Sequence, residues 1–107
     1  MAPVDRPSYS LEEARGLVPE VRAVLLALAM ERRRLGHAPP AELREATAGL
    51  LAHLESLGVE LRDLDEGLVD IPTVRDGELA WFCWRLADPQ LGWWHTTREG
   101  FAARRPV

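Results

Sequence analysis

Three side chains able to hold a metal or move a proton fall in one stretch, Gly67 to His95: Asp70, Cys83 and His95. Cys83 is the only cysteine, and the same stretch carries all four tryptophans. Carboxylate, thiolate and imidazole are all ligands for divalent transition metals, and three protein ligands leave a coordination position open. The same trio also suits a thiol activated by a neighbouring imidazole. A third reading is a polar network that orders a sheet, with Cys83 acting as a small buried hydrophobe. The three residues are far apart in sequence, and no CxxC or HExxH spacing ties them together. Whether they meet is therefore decided by the elements that carry them.

Those elements begin with a hairpin. Asp76-Gly77 separates two apolar runs, Leu68 to Arg75 and Glu78 to Leu86. Asp-Gly there suits a type I′ turn, which needs positive φ at both central residues. The short loop fixes the register, with Asp70 opposite Cys83 and Val69 opposite Trp84. Side chains alternate, so the ribbon has two faces. One face carries Val69, Ile71, Thr73, Ala80, Phe82 and Trp84 and reads as the core side. The other mixes Asp70, Cys83 and Arg85 with Leu68, Pro72, Val74, Leu79 and Trp81. Arg85 lies diagonal to Asp70, within reach of an ion pair. Pro72 cannot donate to a ladder, which points to an edge, a bulge or a break at that position.

Leu91 to His95 reads as the next strand, after a turn at Ala87-Asp88-Pro89-Gln90. Two registers are open. A loop of four residues puts His95 on the core face beside Phe82. A loop of three puts His95 opposite Cys83, with Trp93 beside Arg85. A slip of one residue exchanges the two faces. The second register keeps an imidazole off the apolar face and is preferred here. Asp70, Cys83 and His95 are then the expected metal ligands. Trp81, Arg85 and the near-terminal Arg104 extend the set to a site for a small anionic ligand, since arginine forks bind carboxylate or phosphate. No catalytic residue is assigned, and a small Cys/His enzyme is the least favoured reading. Exposed tryptophans on the mixed face equally suit a homodimer or another docked partner.

Upstream, Ser10-Leu11-Glu12-Glu13 fits a capping box, after a Pro-containing lead-in from Met1 to Tyr9. Leu11, Ala14, Leu17, Val18, Val21, Val24, Leu25 and Leu28 repeat at helical spacing, so a helix runs to about Leu35, kinked at Pro19. The run Glu31-Arg32-Arg33-Arg34 suits the dipole of a last helical turn. A second helix, about Ala41 to Leu57, carries Leu43, Ala46, Leu50, Leu54 and Leu57 as its stripe, with Gly58 just past its end. A short connection makes the two an antiparallel hairpin. His37 and His53 sit among polar or small neighbours and read as exposed. Val59 to Leu64 reads as a short strand.

The expected fold is therefore α+β. An antiparallel helical hairpin (residues 1–58) packs on a small antiparallel β-meander of three to four strands with a C-terminal tail (residues 59–107), all in one domain. A chain of 107 residues suits one domain rather than two. All 13 basic residues are arginine and the net charge is −4, a balance that argues against nucleic-acid binding. No apolar run approaches the roughly 18 residues of a membrane span. The absence of a signal-like N-terminus and the single cysteine lead to a cytoplasmic expectation.

The chain resembles an uncharacterised bacterial family, domain of unknown function 2203, over nearly its whole length. The head matches at Tyr9-Ser10-Leu11-Glu12-Glu13-Ala14 and Leu17-Val18-Pro19. The distinctive part is Arg62-Asp63-Leu64, Gly67 to Pro72, Gly77, Cys83-Trp84-Arg85, Trp94-His95, and Gly100-Phe101 through Arg104 and Pro106. Ala87 and Ala103 stand where the pattern usually has glycine. The resemblance implies no established activity, substrate or cofactor. It draws attention to Asp70, Cys83, Trp84, His95 and Arg104.

Overall fold

The computed structural model describes residues 7–107, the side chain of Phe101 excepted. The first six residues of the expected lead-in lie outside the described residues. Helix α1 spans Leu11–Arg34 and opens on the expected capping box. Ser10 Oγ accepts from the Glu13 backbone N–H at 3.1 Å, and Glu13 Oε1 accepts from the Ser10 N–H at 2.8 Å. The helix runs through Pro19 without ending, since apolar positions on both sides of it are buried in one core. Helix α2 spans Pro40–Ser56, with proline at its first position. It closes on a Schellman motif: Gly58 N–H donates to Glu55 O at 2.9 Å and Val59 N–H to Leu54 O at 3.0 Å, with Gly58 at φ 75°. Its buried side chains are Thr47 and Leu54, while Ala46 is exposed. Thr47 turns inward because its hydroxyl is satisfied by Leu43 O at 2.8 Å. His53 is exposed and bonds Glu20 across the hairpin at 2.5 Å.

Five strands follow, one more than the upper end of the expected range: β1 (Glu60–Asp63), β2 (Leu68–Arg75), β3 (Glu78–Arg85), β4 (Trp93–Thr96) and β5 (Arg105–Pro106). They form one antiparallel meander in chain order. The fifth strand was hidden in the tail because it is two residues long and follows a 3-10 turn at Phe101–Ala103. The β2–β3 ladder keeps the expected register from Leu68↔Arg85 to Arg75↔Glu78, around a turn with Asp76 at φ 51° and Gly77 at φ 80°.

Pro72 sits in that ladder without a bulge. Its carbonyl accepts from the Tyr9 N–H at 2.9 Å. In a strand, N–H and C=O of one residue point to the same side, so the missing donor faces away from β3. β1 has already ended there, pairing only as far as Asp70. Pro72 thus occupies a local edge, closed by the lead-in. Tyr9 also donates its hydroxyl to Leu57 O at 2.7 Å and accepts from Thr73 Oγ1 at 2.7 Å.

The expected core face is the observed one. Val69, Ile71, Phe82 and Trp84 join Val21, Leu25 and Leu28 of α1 and Leu54 of α2 in a single cluster. Gly67 sets the geometry at the start of β2. It has φ 61°, and a Cβ placed there would lie 2.5 Å from Leu86 side-chain carbons. Strain and overlap together predict that Gly67→Ala costs about 2 kcal/mol, read as a lower urea midpoint. A loss below about 0.5 kcal/mol would show that this turn relaxes freely.

Candidate metal centre on the mixed face

The third-strand register differs from both expected ones. The β3–β4 connection runs from Leu86 to Gly92, pairing Cys83 with Trp93 and Trp81 with His95. Two anchors explain its length. Asp88 folds back on Arg85, accepting its N–H at 3.2 Å and donating its own N–H to Arg85 O at 2.9 Å. Leu91 then drops into the core, 1% exposed, and its carbonyl accepts from Arg15 Nε of α1 at 3.1 Å. The loop is longer than expected by an even offset from the preferred register, so His95 still projects from the same face as Asp70 and Cys83. It stands diagonal to Cys83 rather than opposite it.

The result is a cluster of three buried groups. Asp70, Cys83 and His95 are 3%, 0% and 3% exposed, and one ligand atom from each lies within 4.8 Å of the others. The imidazole orientation is defined at both nitrogens. Nδ1 lies 2.8 Å from Thr96 O, and a carbonyl only accepts, so Nδ1 carries a hydrogen. Nε2 faces Asp70 Oδ1 at 2.9 Å. A histidine whose Nδ1–H is tied to a backbone carbonyl presents Nε2 as its metal-binding atom.

Two arginines flank the cluster. Arg62 stands at the bulge where β1 loses register between Leu61 and Asp63. Bulges re-aim side chains, and here Arg62 Nε meets Asp70 Oδ2 at 2.8 Å while its guanidinium lies 5.2 Å from the Trp81 ring centre. On the other side Arg104 stacks on Trp93 at 4.5 Å and reaches Asp88 Oδ2 at 3.3 Å. The tail is held there by β5 pairing with β4 and by Val107 N–H on Gly92 O at 2.9 Å.

Of the six residues singled out in the sequence, Asp70, Cys83 and His95 come together, and Trp81 and Arg104 border them. Arg85 lies beside Asp88. Both carboxylate oxygens of Asp70 are engaged by Arg62 and His95, whereas Arg85 Nε lies 3.4 Å from Asp88 Oδ1. Closure over three residues outcompetes the cross-strand diagonal. Sequence reasoning did not place Arg62 and Asp88 in the site. Asp88 had a signal, an acid three residues after an arginine and just before a proline, where a side chain commonly closes a turn. Arg62 had none in the alternation, where a bulge is invisible; its one mark was its place in the Arg62-Asp63-Leu64 match to the family pattern. Trp81 is only 7% exposed, and each of the four tryptophans lies against a guanidinium: Arg62, Arg22, Arg104 and, on Trp94, Arg75.

Burial, with the Asp70 charge beside it, pushes the Cys83 thiol up to about 11; Arg104 pulls the other way and Asp88 adds a smaller push upward. From 9.0 to about 11 the thiolate fraction at neutral pH falls about a hundredfold. Metal-free protein is therefore expected to react with iodoacetamide at least about a hundredfold more slowly folded than in urea. Equal rates would contradict this burial of Cys83.

Among the described residues no helix is long and apolar enough to cross a membrane. No curated protein and no solved structure matches the chain. The model of a family described as "Uncharacterized conserved protein (DUF2203)" matches residues 36–107. That span holds α2, all five strands and every residue of the cluster, while the head from Tyr9 to Pro19 lies outside it. By this match over more than half its length, the chain belongs to the uncharacterized conserved protein family DUF2203.

Proposed function

We propose that this protein is a metal-binding module in which Asp70, Cys83 and His95 hold one divalent transition metal and leave a position for a small ligand. The supporting observation is the convergence of three chemically different donors, all buried, within 4.8 Å. Tetrahedral zinc, with bonds of about 2.0–2.3 Å, sets donors roughly 3.5 Å apart, so closure requires side-chain movement on the order of 1 Å. The mixed thiolate, imidazole and carboxylate set suits Zn²⁺ or Fe²⁺ rather than Mg²⁺ or Ca²⁺. Burying such groups rarely improves stability over an apolar core, which leaves function as the better reason for them here.

Thiol catalysis has less support, because the metal-free Cys83 is protonated at neutral pH. A homodimer or partner docked through exposed tryptophans also has less support, since Trp81 of the mixed face is buried within one chain. Metal analysis of protein purified without an affinity tag is expected to find about one equivalent of zinc or iron. Zn²⁺ at about 100 times its Kd should stabilise the fold by about 2.7 kcal/mol, raising Tm by about 10 °C. No bound metal and no thermal response to Zn²⁺ or Fe²⁺ would overturn the proposal.

A further inference from the structure

A cavity of about 330 Å³ opens directly onto the cluster, walled by Arg62, Asp70, Trp81 and His95, with Leu68, Thr97, Glu99 and Gly100. Arg62 is arranged as a receptor group. Its Nε is fixed on Asp70 and its plane on Trp81, while its Nη groups make no hydrogen bond to any described residue and its side chain is 45% exposed. A guanidinium held in this way offers a fork that matches a carboxylate. Once a divalent metal is held, the charges of Asp70 and Cys83 are spent on it. Asp88 is shared between Arg85 and Arg104. Positive charge is then left in excess at Arg62.

Resting on the metal-binding reading above, we propose that this cavity is a subsite for a small monoanionic carboxylate, seated on the Arg62 fork and reaching the open metal position, with its apolar part against Leu68 and Trp81. The size fits a small molecule, at the lower end of ligand cavities. With Glu99 paired to Arg105 at 3.2 Å, Arg62 is the only arginine in the wall among the described residues and offers a single positive charge, which suits a monoanion better than a dianion such as phosphate.

The test uses the full chain loaded with Co²⁺, whose visible bands report a new ligand at the metal. Acetate is expected to change those bands saturably, with inorganic phosphate binding more weakly. At saturating Co²⁺, Arg62→Gln should weaken acetate about tenfold or more, the size expected for a charged hydrogen-bond pair, separately from the roughly 10–100-fold that loss of its bond to Asp70 takes from Co²⁺ affinity. Arg62→Lys, which keeps the charge and loses the fork, should fall between. Cobalt bands that acetate leaves unchanged, equal acetate binding by Arg62→Gln, or tighter binding of phosphate would each overturn the subsite while leaving the metal centre in place. Failure to form cobalt bands at all would overturn both.

Discussion

Asp70→Ala should cost the metal-free fold about 3 kcal/mol, because one small carboxylate satisfies two cationic or donor groups at once. It is 3% exposed, and its two oxygens hold Arg62 at 2.8 Å and His95 at 2.9 Å. The two partners lose unequally. The Arg62 side chain is 45% exposed and can rehydrate, so its share is small. The His95 side chain is 4% exposed and its Nε2 would be stranded beside Trp81 and Cys83. Breaking a wholly buried pair costs about 3–5 kcal/mol, and the lower end applies because only one partner is sealed in. With a urea slope of about 1–3 kcal/mol per molar, the midpoint should fall by more than about 1 M. Asp70→Asn keeps an acceptor for His95 and should cost less. A loss under about 1 kcal/mol for Asp70→Ala would mean that this carboxylate does not organise the face.

Cys83→Ser should weaken Zn²⁺ by more than about a hundredfold, since even outer-shell changes cost about 10–100-fold in metal affinity and this one removes a ligand of the proposed centre. The pH dependence should change with it. Metal-free Cys83 holds its proton up to about 11, and metal-bound Cys83 has none. Binding therefore releases that proton, which contributes about a tenfold rise in apparent affinity per pH unit between about pH 6 and 9. Cys83→Ser should lose that component of the slope. The same group sets a stability trend in the metal-free chain. Its folded value lies above the ordinary 9.0, so its contribution is fully present below about pH 9 and is lost as pH rises through about 11. Competition with a chromophoric chelator at several pH values measures both affinity effects. Equal affinity for wild type and Cys83→Ser would remove the thiol from the centre.

How far these residues were legible follows from the range of the forces that place them. The Asp70–Cys83 pair was readable because Asp76-Gly77 fixes a ladder through local turn chemistry alone. The helix ends were readable for the same reason: Ser10 with Glu13, and Gly58 with Val59, are local hydrogen-bond devices. His95 was readable in its face and not in its partner. Its register depends on Leu91 entering a core built by α1, and on Asp88 folding back over Arg85. Neither is encoded in alternation. Arg62 escaped because it sits at a bulge, and β5 because two residues carry no period. The exposed-tryptophan premise weakened because arginines from α1, β1, β2 and the residue just before β5 cover the rings. Such contacts join residues far apart in the chain.

The proposed centre is tested most directly by titrating metal-free, untagged protein with Co²⁺ and following its optical spectrum. Four-coordinate binding through a thiolate should give intense visible bands and a near-ultraviolet sulfur-to-cobalt charge-transfer band, saturating at one equivalent. The charge-transfer band should vanish in Cys83→Ser, and binding should weaken sharply in His95→Ala and Asp70→Asn. Weak bands typical of hydrated cobalt, or bands that survive unchanged in all three variants, would contradict the account.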